Sequence, residues 1–164
     1  MAVEEHFTKL IQGNAGIIHK VLLLYVDDVS ERGDLYQEIV LQAWKSYDKF
    51  RQDSKFSTWL YRVALNTVFT FNRKESKRPE MSDFSEVEHH LESDQSEDKR
   101  DKKDQLLWLI KRLDEIDRAI ISLHLDGYNN KEIAEITGLK SNHIGVKLHR
   151  IKEKLITKMK GDQV

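Results

Sequence analysis

Between residues 140 and 160, Lys140, Lys147, Arg150, Lys152, Lys154, Lys158 and Lys160 stand against a single acid, Glu153, a local excess of six positive charges in a chain of formal net charge −1. Cations spaced this way along one element can capture phosphate. Taken alone, such a run is more often a solvated helix with snorkelling lysine stems, so its geometry has to decide. His89 and His90, beside Glu88 and Glu92, are a second cluster with reactive potential, as metal ligands. Adjacent side chains in so polar a segment are poorly preorganised, and they read as surface residues rather than a metal site. Covalent chemistry has little to work with: the chain has no cysteine and shows no HExxH, nucleophile elbow, Walker loop or dinucleotide fingerprint. The expectation is a protein that is not an enzyme and needs no cofactor or metal.

The elements that must position the basic run have their own spacing. Leu113, Ile116, Ala119, Ile120 and Leu123 predict one helix that stops at Asp126 and Gly127. Asn129 with Glu132 three residues on resembles a capping box opening a short helix with Ile133, Ala134 and Ile136. Two helices crossing through a tight turn need a small residue on the first, a glycine at the turn and apolar anchors on the second. Ala134, Gly138, Leu139, Ile144 and Leu148 meet that requirement. The second helix, from about Ser141, carries Lys147, Arg150, Lys152 and Lys154, and its first turns would face a major groove. Ordinary helical hairpins share this spacing; the basic charge favours DNA.

The N-terminal half reads as helix throughout. Phe7, Leu10 and Ile11, then Ile17, Ile18, Val21, Leu22 and Tyr25, then Leu35, Ile39, Ala43, Trp44 and Tyr47 recur at three- and four-residue steps. Gly13, Asn14 and Gly16 are expected to separate the first two helices, Asp27 and Asp28 to end the second, and Ser30 to cap the third. A fourth should follow Ser57 or Thr58, with Trp59 on its core side. Residues 1–78, 79–103 and 104–164 carry net charges of +2, −5 and +2. The middle block, with the one proline and few large apolar groups, predicts a flexible acidic linker. The fold class is therefore all-α: a helix bundle over 1–78 and a helix-turn-helix over 104–164, joined by that linker. The longest charge-free runs span ten residues, half of the roughly 20 needed to cross a bilayer, so no membrane insertion is expected. No signal peptide is visible, and the lack of cysteine suits a cytoplasmic location.

Two segments carry a resemblance. SERGDLYQEIVLQAWKSYDKFRQDSKFSTWLYRVALNTVFTFNRKESKR resembles region 2 of a bacterial sigma factor of the extracytoplasmic-function type, and LDEIDRAIISLHLDGYNNKEIAEITGLKSNHIGVKLHRIKEKL resembles its region 4. The resemblance implies a promoter-specificity subunit that binds core RNA polymerase, recognises the −10 and −35 elements of promoter DNA and helps to open it, without chemistry of its own. It implies that Asp34, Gln37 and Glu38 contact the polymerase, and that Phe50, Lys55, Arg62 and Asn66 handle the −10 element. Phe50 and Asn66 match positions that help hold a flipped base, while Arg73, Lys74, Lys77 and Arg78 could follow phosphates. Ser141, Asn142, His143, Lys147 and Arg150 would meet the −35 element. The family commonly has lysine where this chain has Gly145, and its members are often held inactive by an anti-sigma factor. An operator-binding regulator with a dimerising N-terminal bundle is the alternative; it should bind two-fold symmetric sites without polymerase.

Overall fold

The computed structural model describes residues 2–50, 52–76 and 98–161. Among these, the regular elements are helices: α1 (Ala2–Gly13), α2 (Ala15–Tyr25), α3 (Val29–Ser46), a 3-10 turn (Tyr47–Lys49), α4 (Phe56–Ser76), α5 (Asp98–Lys111), α6 (Glu115–Leu125), α7 (Asn130–Thr137) and α8 (Ser141–Gly161). Residues 79–97 of the acidic segment, with His89 and His90, lie outside the described residues, as do Lys77 and Arg78. Residues 98–103 belong to α5, a helix that the sequence pattern did not announce.

Local chemistry sets the boundaries. Asn14 sits between α1 and α2 and donates its side-chain amide to the Leu10 carbonyl. Asp28, not Ser30, caps α3: its carboxylate accepts from both the Ser30 backbone N–H and the Ser30 hydroxyl at 2.9 Å. A carboxylate one residue before the helix outcompetes a hydroxyl already inside it. Those two bonds, the side-chain one foremost, hold the Asp28 carboxyl below its ordinary range. Helix α4 starts at Phe56, just ahead of the expected Ser57 or Thr58. Leu113 falls in the turn before α6, because Asp114 is the cap and accepts from the Asp117 N–H at 3.0 Å.

The N-terminal unit packs α2 and α3 on α4, burying Ile18, Ile39, Leu60 and Val68 completely. The C-terminal unit packs α8 on α5, α6 and α7, burying Ile120, Leu123, Ile133 and Ile144 as fully. Each such side chain contributes about 1.5–3 kcal/mol.

The two units are docked on each other, with α4 against α7. The seam is polar. The Tyr25 hydroxyl donates to the Glu115 carbonyl at 2.7 Å. Arg118 donates through Nη1 to the Leu24 carbonyl at 2.8 Å and through Nη2 to the Leu113 carbonyl at 2.9 Å, with its guanidinium 4.8 Å from the centre of the Tyr25 ring. Tyr61 and Tyr128 meet edge to face at 5.7 Å, and Lys111 lies 3.4 Å from Asp27. The buried Tyr61 hydroxyl lies beside Ser122 and Asp126, yet neither it nor the Ser122 Oγ completes a hydrogen bond of good geometry. Burial pushes the phenols of Tyr25 and Tyr61 well above the ordinary tyrosine value, against the lowering effect of Arg118 on Tyr25 and of Ser122 on Tyr61.

Candidate functional site

Three surfaces take shape from these helices. The first is the start of α8. Asn129 opens α7 with both halves of a capping box: its side chain accepts from the Glu132 N–H at 2.8 Å, and Glu132 accepts from the Asn129 N–H at 2.9 Å. Gly138 ends α7 at φ 85°, a left-handed conformation that turns the chain into α8 at little steric cost. Ile144, Leu148, Ile151 and Leu155 anchor α8 inward. Ser141, Asn142, His143 and Arg150 are left exposed, with Val146 half-exposed among them. Lys147 is less free: its Nζ is 3.3 Å from Asp117. Gly145 lies inside the helix, where an added Cβ would sit 3.7 Å from the Asn130 side-chain nitrogen.

The second surface is aromatic. Phe50 lies 5.7 Å from Phe56, 5.2 Å from Trp59 and 6.3 Å from Tyr47 between ring centres. Trp44 and Tyr47 stack at 6.3 Å, and Phe7 of α1 closes on both at 5.0 Å. Trp59 is partly buried in this cluster, on the core side as its spacing implied. A cavity of about 590 Å³ opens beside Phe50, walled by Trp44, Lys45, Tyr47, Asp48 and Gln52. Gln52 has φ 63°, an uncommon conformation for a residue with a side chain, and it bends the loop that carries Phe50.

The third surface is the groove between α3 and α4, about 820 Å³, in which Asp34 and Glu38 face Asn66, Thr70 and Lys74 across an apolar floor that includes Leu35 and Val63. Glu38 accepts from the Gln42 amide at 2.7 Å. Gln37 is exposed but does not line the groove. Asn66 thus stands with the α3 carboxylates, while Phe50 lines the aromatic cavity. Arg73 is exposed near the end of α4. Lys55 and Arg62 turn toward the other unit: Lys55 Nζ lies 3.8 Å from Glu132, and Arg62 Nη1 donates to the Glu135 carbonyl at 3.4 Å.

Sequence reasoning passed over Lys20 and Arg118, and gave Tyr25 and Asp126 only a core and a helix-ending place. Lys20 pairs with Asp126 across the seam. One signal was available: a cation, Arg118, in the first turn of a helix that opens Asp114-Glu115-Ile116-Asp117 runs against the helix dipole and calls for a partner elsewhere.

Comparison with known proteins identifies the family of the chain. The sigma-70 region 2 family matches residues 10–78, and the sigma-70 region 4 family matches residues 103–155. The ECF RNA polymerase sigma-E factor of Escherichia coli K12 is 30% identical over 138 aligned positions, which cover 77% of this chain and 72% of that one. The RNA polymerase sigma-H factor of Pseudomonas aeruginosa is 29% identical over 150 aligned positions, covering 82% and 78%. In fold, the chain is similar to CnrH, solved with the cytosolic domain of CnrY (TM-score 0.70, 19% identity, 97% and 90% covered). It is also similar to the sigma factor RpoE of Bartonella quintana, solved with the anti-sigma factor NepR (TM-score 0.69, 21% identity, 95% and 98% covered).

Proposed function

The chain belongs to the sigma-70 family, as a sigma factor of the extracytoplasmic-function type, and from that premise we propose how its surfaces divide the work of starting transcription. It is a promoter-recognition subunit of RNA polymerase. The unit over 1–78 docks the enzyme and handles the −10 element, the C-terminal unit, which with α5 begins at Asp98, reads the −35 element, and the acidic segment before α5 tethers them. Asp34 and Glu38 offer carboxylates over an apolar floor, a surface suited to a basic helical partner on the polymerase, with Gln37 at its exposed edge. The aromatic wall around Phe50 suits an unstacked base, and Lys55, Arg62, Arg73 and Lys74 suit the phosphates beside it. Asn66 acts from the groove side of α4. Ser141, Asn142, His143 and Arg150 enter the major groove, joined by Lys147 when it leaves Asp117.

All of this is binding: the protein acts without catalysis, in the cytoplasm where the polymerase works. An anti-sigma factor is a further partner, a reading supported by the company that two similar folds keep. The observation that carries the assignment is the match of both sigma regions, in order, on a chain whose α8 presents a polar and basic first face. The test is co-purification with core polymerase followed by transcription from genomic DNA. Wild type should form the complex and initiate at mapped sites. Reversing charge at Asp34 and Glu38 should weaken the complex at least about 10-fold, a change of about 1.4 kcal/mol, with helicity retained. An unchanged complex removes the groove from the assignment.

A further inference from the structure

We propose that Val146 reads a thymine of the −35 element through the C5-methyl group of the base, as the apolar centre of an otherwise polar recognition face on α8. The inference rests on the placement of α8 in the major groove and adds a residue outside the polar set assigned to it. At about 100° per residue, Val146 stands about 160° from both Ile144 and Leu148, the buried anchors that flank it in sequence, and so points away from the core. Asn142 and Arg150 lie one turn before and one turn after it, and His143 and His149 complete the same face. All four are exposed and polar; Val146, 50% exposed, is the apolar side chain among them. Neither chain neighbour shields it. Gly145 has no side chain, and the Lys147 ammonium is drawn to Asp117 at 3.3 Å.

Local cost is the first argument for a contact here. Glycine and β-branched valine are both poorer helix formers than alanine, yet they follow one another in the second turn of α8. Packing does not demand either: a Cβ at 145 would have room, and half of the Val146 surface meets solvent. A local rule broken without gain inside the fold marks a residue kept for binding. The second argument is the chemistry of the groove. Every base presents hydrogen-bonding atoms along the major groove, and thymine alone adds a methyl group. A valine side chain can neither donate nor accept. Set against the cytosine amino group or a purine N7, it would strip water from a polar atom and return nothing. Set against the thymine methyl, it buries apolar surface on both partners. The single χ1 rotamer that valine prefers in a helix also fixes its two γ-methyl groups in advance, so the contact orders no mobile side chain.

The test uses the full chain bound to core polymerase, with duplex promoter fragments taken from its mapped start sites. Each thymine of the −35 element, on either strand, is replaced singly by deoxyuridine, which keeps every hydrogen-bonding group and removes only the methyl. Wild type should lose about 4-fold in affinity at one thymine, the effect of one buried methyl group, and little at the others. Serine matches valine in helix propensity, so Val146→Ser should keep the fold, bind the thymine fragment about 4-fold more weakly and be indifferent to deoxyuridine at that same position. The coupling should persist as salt rises, since no charge takes part in it, while overall affinity falls. Equal deoxyuridine losses for wild type and Val146→Ser, or no loss at any thymine, overturn the proposal. Should Val146→Ser lose helicity, Val146→Ala, a better helix former, takes its place and must show the same weakened response to deoxyuridine. Arg150→Ala keeps the contact apart from the reading beneath it. If that variant loses affinity for the same fragments and the valine shows no coupling, the methyl contact falls and α8 stays in the groove. If neither variant changes binding, the −35 reading falls and takes the contact with it.

Discussion

The two faces proposed for nucleic acid are presented differently. On α8, Ser141, Asn142, His143 and Arg150 face solvent, and the anchors beneath them, Ile144, Leu148, Ile151 and Leu155, all belong to the C-terminal unit. On the N-terminal unit, Lys55 and Arg62 face Glu132 and the Glu135 carbonyl of the other unit. Both faces rest on buried apolar residues that form one continuous cluster through the two units. Lys55 and Arg62 are exposed as well, and the difference lies in their partners across the seam. The α8 face proposed for the −35 element lies in solvent, whereas two cations proposed for the −10 element are engaged across the seam.

Arg118 is where the comparison breaks most easily. It ties the Leu24 and Leu113 carbonyls together and covers the Tyr25 ring, and charge-assisted hydrogen bonds contribute about 1.5–3 kcal/mol each. Arg118→Ala should weaken docking by about 3 kcal/mol. Energy transfer between dyes on α1 and the end of α8 should then report separated units; an unchanged distance would mean that the seam is held elsewhere. The next largest effect is alkaline. Burial raises the Tyr25 and Tyr61 phenols, so the folded chain holds those protons after an unfolded one has released them near pH 10. Their stabilisation is complete below about pH 10 and declines above it, toward the raised folded values, by up to about 1.4 kcal/mol per pH unit for each phenol. Melting temperature should fall steeply above pH 10 in wild type and far less in Tyr25→Phe/Tyr61→Phe.

Why the α8 face was legible and the seam was not follows from range. The capping box at Asn129 and Glu132, the Gly138 turn and the inward spacing of Ile144 and Leu148 are relations within about a dozen residues, and local relations leave a pattern in sequence. Taking Ser30 rather than Asp28 as the cap of α3 is an error of the same local kind, decided by a carboxylate against a hydroxyl. The seam joins Tyr25 to Glu115 and Arg62 to Glu135, residues 90 and 73 apart, and no periodicity records such a pairing. Helix α5 was hidden for another reason: its start at Asp98 runs through seven charged residues, DKRDKKD, which leave no apolar stripe to read.

A pair of smaller substitutions sharpens the contrast. Arg150→Ala removes an exposed cation from the open face, and it should reduce promoter binding several-fold both in the free chain and in the holoenzyme, with a salt slope lower by about 0.9. Arg62→Ala should cost the free chain less than Arg150→Ala does, because its guanidinium shares its donors with the Glu135 carbonyl, and the full loss should appear in the holoenzyme. Equal losses in both settings would show that Arg62 is available to DNA in the docked chain.

The smallest expected effect is at Gly145, inside the recognition helix. A glycine in a helix interior costs about 1 kcal/mol relative to alanine, chiefly through the backbone freedom it loses on folding. A Cβ at this position would meet only the Asn130 side-chain nitrogen at 3.7 Å, an ordinary contact, so Gly145→Ala should stabilise the C-terminal unit by up to about 1 kcal/mol in denaturant melts. The gain should stay on that unit: α8 is anchored by its own core, and the pairs Lys20–Asp126 and Lys55–Glu132 do not involve it. Single-stranded DNA binding by the free chain should therefore match wild type while the melt shifts. A variant that is less stable would instead mean that α7 and α8 need the close approach that glycine permits, and that the missing side chain serves the crossing of the two helices rather than weakening one of them.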